Sequence, residues 1–212
     1  NQALILNENY AEAYNNLGTA LKDLGRLDEA IKNFIKAIAN NQNFPQAYYN
    51  YGSTLLDLGR MDTAIEMFEK AIALNPSYAE AFNNLGVTFK ELGQQDSAVK
   101  YYQKALDIKS DYAEAHNNLG LVFMNLGKLT SAAKHIEKAL KIRPDYAYAN
   151  NNYGSVLKQI GKFNASTKYY ERALAINPDY FEAHNNLGNA FKYLKRHDES
   201  LQSYQRSFEL QP

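Results

Sequence analysis

Apolar residues along the chain fall into two alternating stripes, each with helical spacing. Ala13, Leu17, Leu21 and Leu24 share one side of a first helix. Gly25 and Arg26 break the pattern, and a second stripe follows at Leu27, Ala30, Ile31, Phe34, Ala37 and Ile38. The two stripes predict an antiparallel helix pair. The same alternation returns every 34 residues, marked by Gly18, Gly52, Gly86, Gly120, Gly154 and Gly188. A fixed period of this length means a stacked array in which each unit buries its apolar face against its neighbours.

The punctuation is consistent with such pairs. Asp28, Asp62, Asp96, Thr130, Asn164 and Asp198 recur where each second helix should start, and all can accept from free backbone N–H groups. First helices are expected to open on Asn9, Asn43, Ser77, Asp111, Asp145 and Asp179. Glu12, Gln46, Glu80, Glu114 and Glu182 lie three residues on, where they would close capping boxes. Pro76, Pro144 and Pro178 stop the preceding helices. Small residues mark close helix crossings: the six glycines on first helices, then Ala30, Ala64, Ala98 and Ala132 on second helices, with Ala37, Ala71, Ala105, Ala139 and Ala173 further along.

These positions resemble the tetratricopeptide repeat family, whose pattern sets an aromatic, Leu-Gly, a large apolar residue, Ala, an aromatic, Ala and Pro at fixed offsets. One copy here reads Tyr48, Tyr51-Gly52, Leu55, Ala64, Phe68, Ala71 and Pro76. The next reads Phe82, Leu85-Gly86, Phe89, Ala98, Tyr102 and Ala105. Later copies drift: His116, Asn150 and His184 replace the leading aromatic, Ser166 and Ser200 replace Ala, and Lys195 replaces an inter-helix Gly, so a looser carboxy-terminal end is expected. The resemblance implies an all-α, right-handed superhelical solenoid of antiparallel helix pairs. Repeats are expected over 11–44, 45–78, 79–112, 113–146, 147–180 and 181–212, after a truncated preceding repeat at 1–10. Without a polar terminal helix over Leu201, Tyr204 or Phe208, the chain reads as part of a longer protein. Its uncapped ends would be open to self-association.

In this family first helices line the concave side, where ligands usually lie. Asn16, Asn50, Asn84, Asn118, Asn152 and Asn186 form an unbroken row there, and Asn15, Asn83, Asn117, Asn151 and Asn185 a second, interrupted by Tyr49. A carboxamide carries donor and acceptor, so such rows suit the backbone of an extended peptide irrespective of its side chains. Each bond would add only about 0.5–1.5 kcal/mol. Leu56, Val87, Leu121 and Met124 are expected to form an apolar window on the same face. Selectivity would come from rows that vary. One is acidic at Asp23, Asp57 and Glu91 but neutral at Asn125, Gln159 and Tyr193; its neighbour carries Lys22, Lys90, Lys158 and Lys192. The doubled asparagine face resembles the repeats attached to O-linked N-acetylglucosamine transferases and related bacterial proteins, although no transferase domain is present. The chaperone-tail clamp of the family is not expected, because the Asn15 row contains no lysine.

Charge and composition narrow the alternatives. Lys plus Arg and Asp plus Glu number 23 each, which leaves no basic footprint for nucleic acid. No apolar run is long enough for membrane insertion. With no cysteine there are no disulfides or thiolate metal sites, and no cofactor is expected. His135 and His197 have no partner at ligand spacing, and Ser155-Val156-Leu157-Lys158 lacks the companion motifs of a Ser–Lys enzyme. The reading is a non-catalytic, cytoplasmic scaffold that binds a partner protein or extended peptide. Its alternatives are a substrate-recruiting arm of a glycosyltransferase or other modifying enzyme, and an architectural array.

Overall fold

The computed structural model describes residues 2–210, with side chains from Tyr10 onward. The described residues are helical throughout apart from short turns, and contain no strand. They divide into two compact units, 1–110 and 111–212. The first holds α1 (Gln2–Asp23), α2 (Leu27–Asn40), α3 (Pro45–Asp57), α4 (Met61–Leu74), α5 (Ala79–Glu91) and α6 (Gln95–Ile108). The second holds α7 (Ala113–Asn125), α8 (Leu129–Ile142), α9 (Ala147–Gln159), α10 (Phe163–Ile176), α11 (Phe181–Tyr193) and α12 (His197–Leu210).

Within each unit every odd helix packs on the even helix that follows it, and the even helix packs on the next odd one. Odd helices also touch odd neighbours: α1 with α3, α3 with α5, α7 with α9, and α9 with α11. Even helices stand farther apart from one another than neighbouring odd helices do among the described residues. The odd helices are therefore the more closely packed layer, and any row along them is continuous within its unit.

The periodic glycines make the helix pairs possible. A Cβ on Gly86 would lie 2.6 Å from the Tyr102 ring, and one on Gly154 2.7 Å from Tyr170. Both tyrosines are fully buried. Each odd helix thus drops a side chain where its partner inserts a ring or, opposite Gly120, the Ile136 side chain, at interior packing density. The alanines expected at helix crossings are all buried as well.

A second set of glycines makes the turns. Gly25, Gly59, Gly93, Gly127 and Gly161 have φ between 71° and 78°. Around Gly25, its own N–H donates to Lys22 C=O and Arg26 N–H to Leu21 C=O, both at 2.9 Å. This is the Schellman pattern, which satisfies the last carbonyls of α1. Lys195 adopts the same left-handed conformation, with φ 59°, and Arg196 N–H still reaches Phe191 C=O. The exchange leaves the turn unchanged. Ser200 is also accommodated, its hydroxyl donating to Gly188 C=O at 2.8 Å.

The expected caps are not made. Second helices begin on Leu27, Met61, Gln95, Leu129, Phe163 and His197, one residue before the acceptor types. The three-residue turn therefore places Asp28 inside the first turn, where its carboxylate meets the helix dipole instead of a cap N–H. First helices from α3 onward follow Phe44, Tyr78, Tyr112, Tyr146 and Tyr180, again without a side-chain cap. The linkers are held by side chains further back. Asn41, Asn75 and Asn177 accept from the N–H two residues on. Where Lys109 and Arg143 stand instead, they pair with Glu80 at 3.6 Å and Glu114 at 2.9 Å. Those two glutamates serve ion pairs instead of capping boxes. Residues 2–10 differ too: α1 is continuous through Asn9, with no linker there. Leu17, expected in a buried stripe, is exposed, since α1 has an odd neighbour on one side only among the described residues. Leu24, expected in the same stripe, is exposed because it lies in the turn, as Leu92, Leu126 and Ile160 do at the same repeat place.

Candidate interaction face

The asparagine rows meet each other across adjacent odd helices. Asn50 Nδ2 donates to Asn15 Oδ1 at 2.9 Å, Asn152 to Asn117 at 2.9 Å, and Asn186 to Asn151 at 3.0 Å. Where Tyr49 interrupts the second row, Asn84 Nδ2 donates to its hydroxyl at 3.3 Å. Within each unit the array thus places a carboxamide of one repeat against the acceptor of the previous repeat, an offset of 35 residues.

The rows play unequal parts. Asn15, Asn83, Asn117 and Asn151 are only 4–6% exposed, so they belong to the joint between helices. Asn185 is exposed. Asn16 is exposed, whereas Asn50, Asn84, Asn118, Asn152 and Asn186 are half-buried. An amide nitrogen has two hydrogens, so Asn152 and Asn186 each keep one beyond the inter-helix bond, while Asn50 also donates to Thr19 Oγ1 at 3.4 Å. The four apolar residues are half-buried in their own units: Leu56 and Val87 in the first, Leu121 and Met124 in the second. Leu56 and Met124 pack against hydrophobic clusters.

Towards the carboxy-terminal ends of the odd helices the varying rows separate the units. Lys22 Nζ bridges Asp57 at 3.0 Å and Ser53 Oγ at 2.6 Å. Lys90 pairs with Glu91 at 2.8 Å. Lys158 Nζ instead donates to Asn186 Oδ1 at 3.2 Å, and no ion pair involves it among the described residues. Burial pushes its pKa down from the usual lysine range. Ser155 Oγ accepts from the Tyr170 hydroxyl, so the serine and lysine of the S-x-x-K string turn to different partners.

One pair was invisible in the linear spacing. His116 Nδ1 lies 3.1 Å from His135 Nδ1, in contrast to the expectation that His135 stands alone. One ring donates and the other accepts. His135 is pushed down to about 4 by burial first, then by the charges of His116, Lys134 and Lys138. In the preceding repeat the equivalent places hold Phe82 and Tyr101, which stack with centroids 6.5 Å apart. Recognising the repeat-equivalent aromatic pair would have revealed the histidine pair. His184 and Asn150 fill the same repeat place and bond to the carbonyls of Pro178 and Pro144. Among the described residues no three His, Asp or Glu side chains gather as metal ligands, and no helix is long and apolar enough to cross a membrane.

Stacked helix pairs joined by side-chain ladders define a helical repeat scaffold. Tetratricopeptide repeat models match residues 9–74, 43–111, 113–146 and 181–212, and a TPR repeat model matches 154–195. The chain belongs to the tetratricopeptide repeat family, whose members are generally protein-interaction scaffolds. No curated protein sequence matches it. Among solved structures, the APC/C hetero-tetramer Cut9–Hcn1 aligns with all of this chain at TM-score 0.89 and 19% identity. The chain spans 44% of that protein's length. PilF of Pseudomonas aeruginosa covers 97% of this chain at TM-score 0.85 and 18% identity, with 94% of its own length matched. YrrB, described as a TPR protein with an unusual peptide-binding site, covers 84% at TM-score 0.63 and 21% identity, with 92% of its own length matched. At these identities the likeness concerns the fold.

Proposed function

We propose that the odd-helix face binds an extended segment of a partner protein. The observation that carries this reading is the half-used amide row: Asn152 and Asn186 each spend one N–H on the scaffold and retain another, whereas both donors of Asn50 are engaged, on Asn15 and on Thr19. Their orientation is fixed by the buried acceptors, so little side-chain freedom is lost on binding. Asn84 and Asn118 continue the row, and Leu56, Val87, Leu121 and Met124 add apolar contact within their units. The peptide-binding site described for YrrB is in keeping with this use of the fold. In a longer chain the doubled asparagine face suits a substrate-recruiting arm of an O-linked glycosyltransferase or another modifying enzyme.

The test is binding to an array of immobilised random dodecapeptides. The chain is expected to retain a subset of them, and changing Val87 and Leu121 together to Asp should cut retention at least about tenfold, the equivalent of about 1.4 kcal/mol. Far-UV circular dichroism should stay unchanged. Undiminished retention, or unfolding of the variant, would count against the reading.

A further inference from the structure

Resting on that peptide-binding reading, we infer that Lys158 in the second unit receives a carboxylate of the bound segment. Three observations converge on this residue. First, its ammonium group is half-buried between α9 and α11, yet its recorded hydrogen-bond acceptor is the neutral Asn186 Oδ1 at 3.2 Å. An ammonium has three donors, and a charge withdrawn from water needs pairing to recover its lost hydration.

Second, the sequence supplies a counter-ion at equivalent places in the first unit and withholds it here. Lys22 has Asp57, and Lys90 has Glu91. In the second unit the acidic row reads Asn125, Gln159 and Tyr193. Burial alone accounts for the lowered basicity of Lys158, with no neighbouring carboxylate acting on it.

Third, the lysine opens onto space. An open cavity of about 470 Å³ is lined by Lys158, Gln159, Phe163, Asn189 and Tyr193, with Gly161 at its edge. Asn189 donates one N–H to Asn185 C=O and accepts from the Tyr204 hydroxyl, which fixes its amide and leaves a second N–H. Phe163 and Tyr193 stack at 4.6 Å and supply an aromatic wall. A carboxylate placed there would take a charge-assisted bond from Nζ and neutral bonds from the amides. Both Asp or Glu side chains and the C-terminus of a chain present this group.

Three labelled octapeptides of otherwise identical sequence distinguish the sources by fluorescence anisotropy. One carries a central Glu and an amidated end, one Gln and an amidated end, and one Gln with a free terminal carboxylate. At low salt, at least one carboxylate-bearing peptide should bind about tenfold more tightly than the Gln amide, with the advantage shrinking at high salt. A gain for the Glu amide identifies a side chain, and a gain for the free acid identifies a chain end. Lys158→Met should erase the gain; Met124 and Leu56 occupy the equivalent place elsewhere, so the fold accepts an apolar residue there. Equal binding of all three peptides, or a gain that survives Lys158→Met, overturns this inference and leaves the peptide-binding reading intact. Failure of all three to bind overturns both.

Discussion

The two units share a backbone design and differ in the chemistry laid over it. In the first, lysines on the odd helices meet carboxylates, as in Lys22–Asp57 and Lys90–Glu91. In the second, Lys158 meets an amide. The same contrast runs through the packing between paired helices. Phe82, Phe89 and Tyr101 form stacked rings in the first unit, while His116, His135 and Phe123 hold the equivalent places in the second. Glycine, alanine and the turn residues set the path of the chain, and a few rows are left free to vary. Those rows are where two otherwise similar units differ in charge pairing and in hydrogen-bond partners.

The strongest attack on the comparison is steric. Gly86→Ala in the first unit and Gly154→Ala in the second place a methyl 2.6 Å and 2.7 Å from buried tyrosine rings. Overpacking of this kind costs about 1–3 kcal/mol, against a gain of up to about 1 kcal/mol in helix propensity. A net loss is expected for both, of similar size, read from urea denaturation midpoints. A loss confined to one unit would show that the two joints are not built alike.

This part of the molecule was legible in the sequence because it is local. The glycine and the ring it faces lie 16 residues apart, as in Gly18 and Phe34, Gly86 and Tyr102, or Gly154 and Tyr170, and the spacing repeats. The asparagine face was legible as a pair of rows but not as a ladder. Asn50 meets Asn15 through the stacking of one pair on the next, which no single helix encodes. The capping boxes failed because the first helices from α3 onward start one residue later than expected, so that Phe44 or a tyrosine stands at the cap position in place of Asn43, Ser77 or an aspartate. The partnership of His116 and His135 is not legible in spacing along the chain, because it comes from α7 and α8 packing together.

The histidine pair gives the next test. The pKa of His135 in the fold lies near 4 against 6.5 for the free side chain. Between those values the unfolded chain binds more protons, so stability should fall as pH drops through this window and recover above it. His135→Tyr restores the residue type of Tyr101 and removes that titration. Urea midpoints on either side of the window should therefore differ less in the variant than in the parent. An unchanged pH dependence would mean that the pair is not the titrating element.

The smallest effect bears most directly on the difference between units. Asp57→Asn deprives Lys22 of its carboxylate and makes the first unit resemble the second at that place. The pair is only partly shielded, with side chains 26% and 47% exposed, so solvent screening limits its worth to about 0–1 kcal/mol. Ser53 Oγ remains within 2.6 Å of Nζ and keeps the lysine in position. The variant should lose little stability, and high salt should reduce the gap from the parent, as measured by urea denaturation at two ionic strengths. It should also gain affinity for the Glu octapeptide or the free-acid octapeptide, since Lys22 is left with the same kind of neutral partner that Lys158 has. A stability loss well above about 1 kcal/mol would instead make the ion pair part of the α1–α3 joint.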